Sequence, residues 1–394
     1  MSYKGKESKA KVACAYCYSY KASEVAKAVS EVMSLINAQS LISREGPVLI
    51  KPNLCLSETP DKAITTHPEV VKQTVLWSIP FNQDIIVGDS PVGDADRTRL
   101  NSIWNVSGLN KAMKNIPHSR TFFESELQEF TCDINGELCA YYMAKEISEM
   151  KTIINISKFK THSLMTYTGA VKNLYGLLPG NTKKKLHSQF PDRTNFATLL
   201  FELYLHLKPA INIVDAVIGL EGDGPGSAGS PRTLNLIMAS ENALALDVLA
   251  AKIMNISPAN IPTNDVAIRC GLLDINAIEV VGEPIERFVK YDIKIPHTAR
   301  YHSALTKRLF EISQPGIDVE SDKCNQCNRC VENCPSSGIK NISGNVVIDK
   351  KACISCMICH EICPNAAIKI TKPSFYNQLR EGRKNQFDSG KNIE

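Results

Sequence analysis

The chain has 394 residues, of which 43% are hydrophobic and 22% are charged, a balance that argues against disordered, collagenous and coiled-coil proteins. Its 45 Lys and Arg residues against 41 Asp and Glu residues leave a net charge of +4, too small for a wholesale nucleic-acid binder. The 14 cysteines are too many for a typical cytosolic enzyme, and the chain is too long for a small disulfide-stapled domain.

No segment has the features of a secretory signal or a membrane span. Residues 1–10 lack an apolar stretch, and the longest apolar run, residues 196–207, contains Glu202 and His206 and is too short to cross a bilayer. We therefore expect a cytoplasmic, reducing location, where clustered cysteines serve metal or redox chemistry more often than disulfides.

A lone C-x-x-C pair lies in residues 11–20, which are predicted to form a strand. Cys14 and Cys17 would point to opposite faces of that strand. Their interpretation as small apolar packing residues is favoured over a redox role, which the sequence leaves open.

Short β-branched runs alternate with helical periods over the first three hundred residues. The predicted strands are 47–50, 84–87, 152–156, 211–214 and 234–238. The predicted helices are 23–37 with Ser23 as N-cap, 66–77 with Pro68 at the first helical position, and 241–254. The alternation predicts an α/β domain over residues 1–312, with a mainly parallel sheet and helices on both faces.

Polar or glycine-rich loops follow four of these strands. They carry the residues predicted to bind a cofactor or substrate, which are Lys51, Asn53, Asp89, Ser90, Asp215 and Glu221. Ligands of parallel sheets bind beyond the carboxyl ends of the strands, so the loops are expected to form one composite site. The alternative is that strands simply need polar turns.

The most basic part of the sequence is residues 158–193, with seven Lys or Arg residues against one acidic residue. Such a local excess of positive charge favours an anionic ligand. Lys160, His162 and Lys172 lie among apolar residues and glycines, and we predict that they are catalytic residues that bind or protonate this ligand. The run of three lysines at 183–185 is predicted to be solvated.

Asp247 interrupts the apolar stretch of residues 242–254. A carboxylate on a helix packed against a sheet needs a partner. It either accepts hydrogen bonds from backbone groups or faces the site, and the sequence leaves both open.

Eight cysteines lie between residues 324 and 363, in two runs of the form C-x2-C-x2-C-x3-C-P that repeat after 29 residues. This is the spacing of bacterial two-cluster ferredoxins, in which the fourth cysteine of each run ligates the other cluster. One 4Fe–4S cluster is assigned to Cys324, Cys327, Cys330 and Cys363, and the other to Cys353, Cys356, Cys359 and Cys334. A zinc ribbon uses two separated pairs of ligands and fits these runs poorly.

The cysteine runs also define the domain organisation. A small α+β ferredoxin-type domain is predicted over residues 317–371, and Pro315-Gly316 marks the hinge that precedes it. Residues 372–394 are predicted to be a polar tail.

Five segments of the sequence together resemble the family known as domain of unknown function 362. They are residues 51–53, 66–69, 88–91, 158–180 and 213–232. The resemblance covers residues 10–290. Because this family often carries a ferredoxin module, the resemblance implies an iron–sulfur protein, but it implies no particular reaction.

A second resemblance lies within the basic segment. His162 and the following TGAVKNLYGLLPG are similar to a segment of nickel-pincer lactate racemases, with a longer gap before Pro179. Lys172 would then match the lysine that carries the cofactor, which implies a metal- or cofactor-handling protein by fold-level analogy.

Three functions are compatible with these features. The first is an oxidoreductase whose two clusters transfer electrons to a small anionic substrate or cofactor bound by the α/β domain. The second is a ferredoxin-like electron carrier whose α/β domain docks a partner enzyme, and the third is the metal- or cofactor-handling protein. All three imply a redox partner protein or a small anionic ligand, and none implies nucleic acid or a membrane span.

Overall fold

The fold comes from a computed structural model that describes residues 9–91, 97–123, 125–134, 136–300 and 315–371. The predicted polar tail and residues 301–312 of the predicted α/β domain lie outside these ranges. Within them, no helix combines the length and the apolar composition that a bilayer span requires.

The strands and helices follow one another in the order that the sequence predicts, with several additions. The strands are β1 (Ala10–Tyr16), β2 (Val48–Lys51), β3 (Ile85–Gly88), β4 (Ser119–Thr121), β5 (Leu127–Ile134), β6 (Glu137–Ala144), β7 (Thr152–His162), β8 (Thr166–Thr168), β9 (Ile211–Gly222), β10 (Gly229–Ser240), β11 (Ile278–Gly282), β12 (Gly316–Val319), β13 (Ile339–Ile342), β14 (Asn345–Ile348) and β15 (Ile368–Thr371). The helices are α1 (Ala22–Leu35), α2 (Pro68–Ser78), α3 (Arg97–Val106), α4 (Leu109–Ala112), α5 (Glu146–Glu149), α6 (Ala170–Asn173), α7 (Gly180–Gln189), α8 (Arg193–Leu207), α9 (Ala243–Ile253), α10 (Pro262–Arg269), α11 (Arg329–Glu332) and α12 (Ile358–Ile362).

The large sheet has the strand order β11-β1-β10-β9-β7-β2-β3-β4, and β8 pairs with β7. The run from β9 to β4 is parallel, whereas β10 is antiparallel to both of its neighbours. One apolar core, with residues of α1 and α2, covers one face, and another, with residues of α8 and α9, covers the opposite face. The predicted fold class, a mainly parallel sheet with helices on both faces, is therefore confirmed.

Two sequence predictions about element ends are wrong. β7 and β9 extend well beyond residues 156 and 214, because the polar residues that follow point into a buried polar layer and do not end the strands. Helix α1 begins at Ala22, and its N-cap is Lys21, so Ser23 lies within the helix and does not cap it.

Residues 316–371, here called the cluster module, form two small antiparallel sheets, β12 with β15 and β13 with β14. The internal repeat is visible in the backbone. Left-handed conformations occur at pairs of non-glycine residues 29 positions apart, which are Gln326 and Ser355, Asn328 and Met357, and Ser337 and Ala366. The two cysteine runs thus have the same unusual loop geometry, which supports a common purpose for both loops.

Candidate functional site

Three polar side chains of β7 point to the same side of the sheet. Lys158, Lys160 and His162 alternate with other residues, and alternate residues of a strand share a face. Each is at most 1% exposed. Polar groups buried to this extent need partners, and each of the three side chains contacts a different set of residues.

A cleft of about 440 Å³, its open mouth included, lies beyond the carboxyl ends of β2 and β3 and beside β7. Of the residues that the sequence predicts for the site, it is lined by Asn53, Asp89, Ser90, Lys160 and Lys172. The predicted site residues that lie outside its lining are Lys51, His162, Asp215 and Glu221. The strand ends therefore converge on one site, which a subset of the predicted residues lines directly.

Lys160 and Lys172 differ in how they are held in the cleft. The Nζ of Lys160 donates to Oδ1 of Asn53 at 2.9 Å and to the carbonyl oxygen of Ile64 at 2.8 Å, and burial lowers its pKa. Lys172 is half-buried, and its side chain makes no hydrogen bond or ion pair within the described ranges. An ammonium group without a partner in a cleft is suited to contact an anionic ligand.

A buried ion pair stabilises one wall of the cleft. The Nζ of Lys51 lies 2.7 Å from Oδ1 of Asp89, and the other carboxylate oxygen accepts from the backbone N–H of Leu54 at 2.6 Å. A Cβ atom on Gly176 would lie 2.2 Å from Asp89 Oδ1, so a larger residue at this position would displace the ion pair. Lys51 therefore acts through Asp89 and does not itself line the cleft.

Lys158 and Asp215 form a separate network. The Nζ of Lys158 lies 2.9 Å from Oδ2 of Asp215 and donates to the Tyr20 hydroxyl at 2.7 Å. Burial alone would raise the pKa of Asp215, but the Lys158 ammonium and the backbone N–H of His67 hold it below its ordinary value. Asp215 is thus an ionised partner of Lys158, outside the cleft.

The prediction that residues 183–185 are a solvated run is wrong for Lys183. Helix α7 turns Lys183 inward, where it is 1% exposed, whereas Lys185 is exposed. The Nζ of Lys183 donates to the carbonyl oxygens of Ser90 and, at 3.3 Å, Pro91. Burial lowers the pKa of Lys183 to about 7. The signal in the sequence was weak, because a run of charged residues does not show which one faces the core.

The cluster module reaches the cleft through Glu361. The Nε2 of His162 lies 3.0 Å from Oε1 of Glu361, although the contact is not aligned as a hydrogen bond. The backbone N–H groups of Leu164 and Met165 donate to Nδ1 of His162, so the ring proton is on Nε2 and faces the carboxylate.

The charges at this contact follow from burial and neighbouring groups. Burial and the nearby Lys172 lower the pKa of His162 to about 4, so the ring is neutral. Burial would raise the pKa of Glu361, but His162 and Lys172 hold it well below its ordinary range. An ionised carboxylate of the cluster module therefore lines a cleft that is otherwise rich in lysine.

The glycine-rich loop after β9 contacts the same helix of the module. The Nε2 of His360 is 2.8 Å from the carbonyl oxygen of Asp223. A Cβ atom on Gly226 would lie 2.3 Å from the carbonyl oxygen of Glu361. Glu221 points elsewhere, towards Lys294, whose Nζ is 3.7 Å from its carboxylate. This loop therefore holds α12 against the α/β domain.

The eight cysteines of the module line two small cavities. One is lined by Cys334, Cys353, Cys356 and Cys359. The other is lined by Cys324, Cys327, Cys330 and Cys363. These are the two sets of four that the spacing predicts.

Backbone hydrogen bonds to sulfur repeat with the sequence. Gly338 donates its N–H to Sγ of Cys334 and Ala367 donates to Sγ of Cys363, each at 3.2 Å. Hydrogen bonds of this kind stabilise thiolate ligands of iron–sulfur clusters. Four-thiol cavities with N–H donors to sulfur therefore fit polynuclear clusters.

The sequence of residues 48–252, just over half of the chain, matches a family described as a domain of unknown function, DUF362. The chain belongs to this family. Residues 317–373 match the 4Fe-4S dicluster domain, so the protein joins a DUF362 domain to a ferredoxin-type module, as predicted. A thylakoid-associated protein of Synechocystis is 30% identical over 226 residues, which cover 57% of this chain and 68% of that protein.

Among solved structures, the lactate racemase apoprotein of Thermoanaerobacterium thermosaccharolyticum is similar with a TM-score of 0.38 and 10% sequence identity. The matched region covers 60% of this chain and 55% of that protein, so the chain spans about half of its length. A similarity this loose carries no argument about function, and the metal-handling hypothesis stays a prediction.

Asp247 of the DUF362 domain accepts backbone hydrogen bonds and does not line the cleft. Its Oδ1 accepts from the N–H of Ala170 at 2.7 Å, and its Oδ2 accepts from that of Val171 at 3.2 Å. A Cβ atom on Gly169 would lie 1.9 Å from Asp247 Oδ1. Asp247 thus fixes the start of α6, which carries Lys172 into the cleft.

Stability is expected to fall with rising pH because of Asp247. Burial raises its pKa from 3.8 to about 7, so the folded chain holds a proton that the unfolded chain releases near pH 4. The stabilisation is complete below the unfolded pKa and is lost as pH rises through about 7, a change of about 2 to 3 kcal/mol between about pH 5 and about pH 8.

This loss of stability can be measured by comparing the thermal midpoints of the parent and an Asp247→Asn variant, both with clusters intact. The difference between the two midpoints should shrink or reverse from about pH 5 to about pH 8, because Asn does not titrate. A difference that is the same at both pH values would contradict the raised pKa.

Cys14 and Cys17 are packing residues of the α/β domain. Cys14 belongs to one apolar core and Cys17 to the other, which agrees with their predicted opposite directions. Burial raises the pKa of each thiol to about 12. Since thiolates are the reactive form, neither thiol is activated for redox chemistry.

Proposed function

We propose that this DUF362 protein is a cytoplasmic oxidoreductase that transfers electrons from two 4Fe–4S clusters to a small anionic substrate or cofactor in the cleft. When bound by the eight cysteines, the clusters supply single electrons. A redox partner protein, not identified by the sequence, would reduce them. The proposal goes beyond the family assignment, which names no reaction.

The observation that carries the proposal is the position of Glu361. It lines the cleft. It also lies between Cys359 and Cys363, which line the two different cysteine cavities. One short helix therefore separates a ligand in the cleft from both cluster sites, an arrangement that suits electron transfer between them.

The side chains of the cleft suggest distinct roles. Lys160, fixed by its two acceptors, would supply positive charge to hold an anion, and Lys172, which has no partner, would contact the substrate directly. Lys183, with a pKa of about 7, can exchange a proton near neutral pH. His162 would act as a positioning residue, because its Nε2–H faces Glu361 instead of the cleft.

The reaction consumes electrons and protons in equal numbers. Reduction of one double bond of the substrate would take two electrons and two protons, and clusters held by the eight cysteines would supply the electrons. Lys172 and Lys183 would each donate a proton, and solvent would restore both. Turnover would require a reductant, a role that the proposal gives to the partner protein.

The carrier hypothesis has less support. A docking patch must be exposed, whereas Lys160 and Lys183, two of the lysines of the basic segment, are each 1% exposed. Buried lysines that line a cleft fit a small ligand better than a protein surface.

The test uses anaerobically purified protein whose clusters are reduced with dithionite, freed of excess reductant and mixed with small 2-oxo and 2,3-unsaturated carboxylates. We expect at least one acid to reoxidise the clusters, as followed by their visible absorption. A Lys172→Ala variant should slow this reoxidation by about 100-fold, the size of a lost proton donor and anion contact. Lys185→Ala, which removes an exposed lysine from the same segment, should leave the rate unchanged.

Two results would overturn the proposal. One is that Lys172→Ala reoxidises as fast as the parent with every acid that the parent reduces. The other is that no small molecule reoxidises the clusters while a partner protein does so in a salt-dependent manner, as the carrier hypothesis predicts.

A further inference from the structure

Two buried hydroxyl groups line the cleft without a hydrogen-bond partner. Ser90 is 2% exposed and Thr168 is 3% exposed, and both contribute to the lining. Within the described ranges, neither Ser90 Oγ nor Thr168 Oγ1 has a partner. A buried hydroxyl without a partner is unfavourable, so these two groups indicate a ligand that accepts hydrogen bonds from them.

Three other polar side chains of the cleft already make hydrogen bonds. Asn173 donates through Nδ2 to Oδ1 of Asn155, and Asn53 donates through Nδ2 to Oδ1 of Asn173, both at 2.8 Å. The Tyr175 hydroxyl donates to the carbonyl oxygen of Lys183 at 3.0 Å. The donors left for a ligand are therefore the two hydroxyls, the free Lys172 ammonium, and the remaining N–H of each partly engaged lysine.

The charges of the cleft are unbalanced. Lys51 and Asp89 neutralise each other. Among the other lining residues, the lysines at 160, 172 and 183 face the single carboxylate of Glu361. The described cleft thus has two positive charges in excess when all three lysines are protonated, and buried charge without compensation is costly.

We infer that the cleft binds a small oxyanion ligand with two negative charges, which accepts hydrogen bonds from the hydroxyls of Ser90 and Thr168 and contacts Lys172. The inference deepens the proposed function and rests on it in taking this cleft as the substrate site. Two negative charges neutralise the excess, and oxygen acceptors satisfy both hydroxyls. Two kinds of ligand have this chemistry: a dicarboxylate, with its charges on two groups, and a phosphate or sulfate, with both on one.

Calorimetric titration of the oxidised, cluster-loaded protein tests the inference with redox-inert probes. The probes are malonate, succinate and inorganic phosphate, with acetate as the singly charged control, all at one ionic strength. We expect at least one of the doubly charged probes to bind about tenfold or more tightly than acetate. A tighter dicarboxylate or a tighter phosphate would identify which of the two ligand kinds the cleft takes.

Variants of the hydroxyls provide the residue-level test. Thr168→Val and Ser90→Ala should each weaken the preferred probe by about tenfold, the usual loss for one hydrogen bond to a charged group. Lys172→Met should weaken it by about 100-fold, and Lys185→Met should bind as the parent does. Cluster absorption and far-ultraviolet circular dichroism identify any variant that does not fold.

The failure of this inference is distinguishable from that of the proposed function. Equal binding of acetate and the dianions, or unchanged binding by both folded hydroxyl variants, would overturn the inference even if the clusters reduce another substrate. Tight dianion binding that needs both hydroxyls would support it even if no small molecule accepted electrons.

Discussion

A Cys363→Ala variant is expected to lose one cluster and keep the other, so that iron falls from about eight to about four atoms per chain. Cys363 belongs to the second cysteine run, but it lines the cavity of the first run together with Cys324, Cys327 and Cys330. Removing Cys363 should therefore prevent a cluster from binding in the cavity that it shares with the first cysteine run. The cluster in the cavity lined by Cys353, Cys356 and Cys359 should remain.

Double variants separate this cross-arrangement from one in which each run holds its own cluster. Cys363→Ala with Cys324→Ala should still retain about four iron atoms, because both residues line the same cavity. Cys363→Ala with Cys353→Ala should retain none, because the two residues line different cavities. Analysis of iron and acid-labile sulfide measures the clusters that each double variant retains. If the first double variant retained no iron and the second retained about four atoms, each run would bind its own cluster.

The sequence predicts the fold class because the signal is local. Runs of β-branched residues form strands wherever both faces of a sheet are covered, and the periods of α2 and α9 identify helices within one or two residues. The sets of four cysteines follow from spacing for a similar reason. A tight loop can present three thiols to one cavity, whereas the fourth cysteine leaves in another direction.

The candidate site was less predictable because its key contacts join distant parts of the chain. Nothing near Glu361 in the sequence indicates that its carboxylate meets His162 of β7. Similarly, the sequence predicts Lys160 and His162 in a loop, because polar residues usually end a buried strand. In the structure both residues belong to β7, which continues through a buried polar layer.

Gly226→Ala is expected to weaken electron delivery to the cleft without removing either cluster. A Cβ atom at this position would lie 2.3 Å from the carbonyl oxygen of Glu361, and backbone must move to relieve that contact. Gly226 lines neither cysteine cavity, so iron content should not change. Because α12 lies between the cleft and the cluster sites, a displacement of about 1 Å should slow reoxidation by a small-molecule acceptor by about 100-fold.

Three measurements on this variant distinguish displacement of the helix from general damage. Hydrogen exchange should increase in residues 358–362 and in the loop 223–226, where His360 contacts the carbonyl oxygen of Asp223. Iron content shows whether both clusters are still bound. The rate of acceptor-dependent reoxidation shows whether electrons still reach the cleft. The control is Ala228→Val, which adds bulk at a half-buried position of the same loop and should leave all three measurements unchanged. If exchange in α12 rises while reoxidation keeps the parent rate, the acceptor takes its electrons elsewhere, and the contact between Glu361 and the cleft serves only to hold the two parts together.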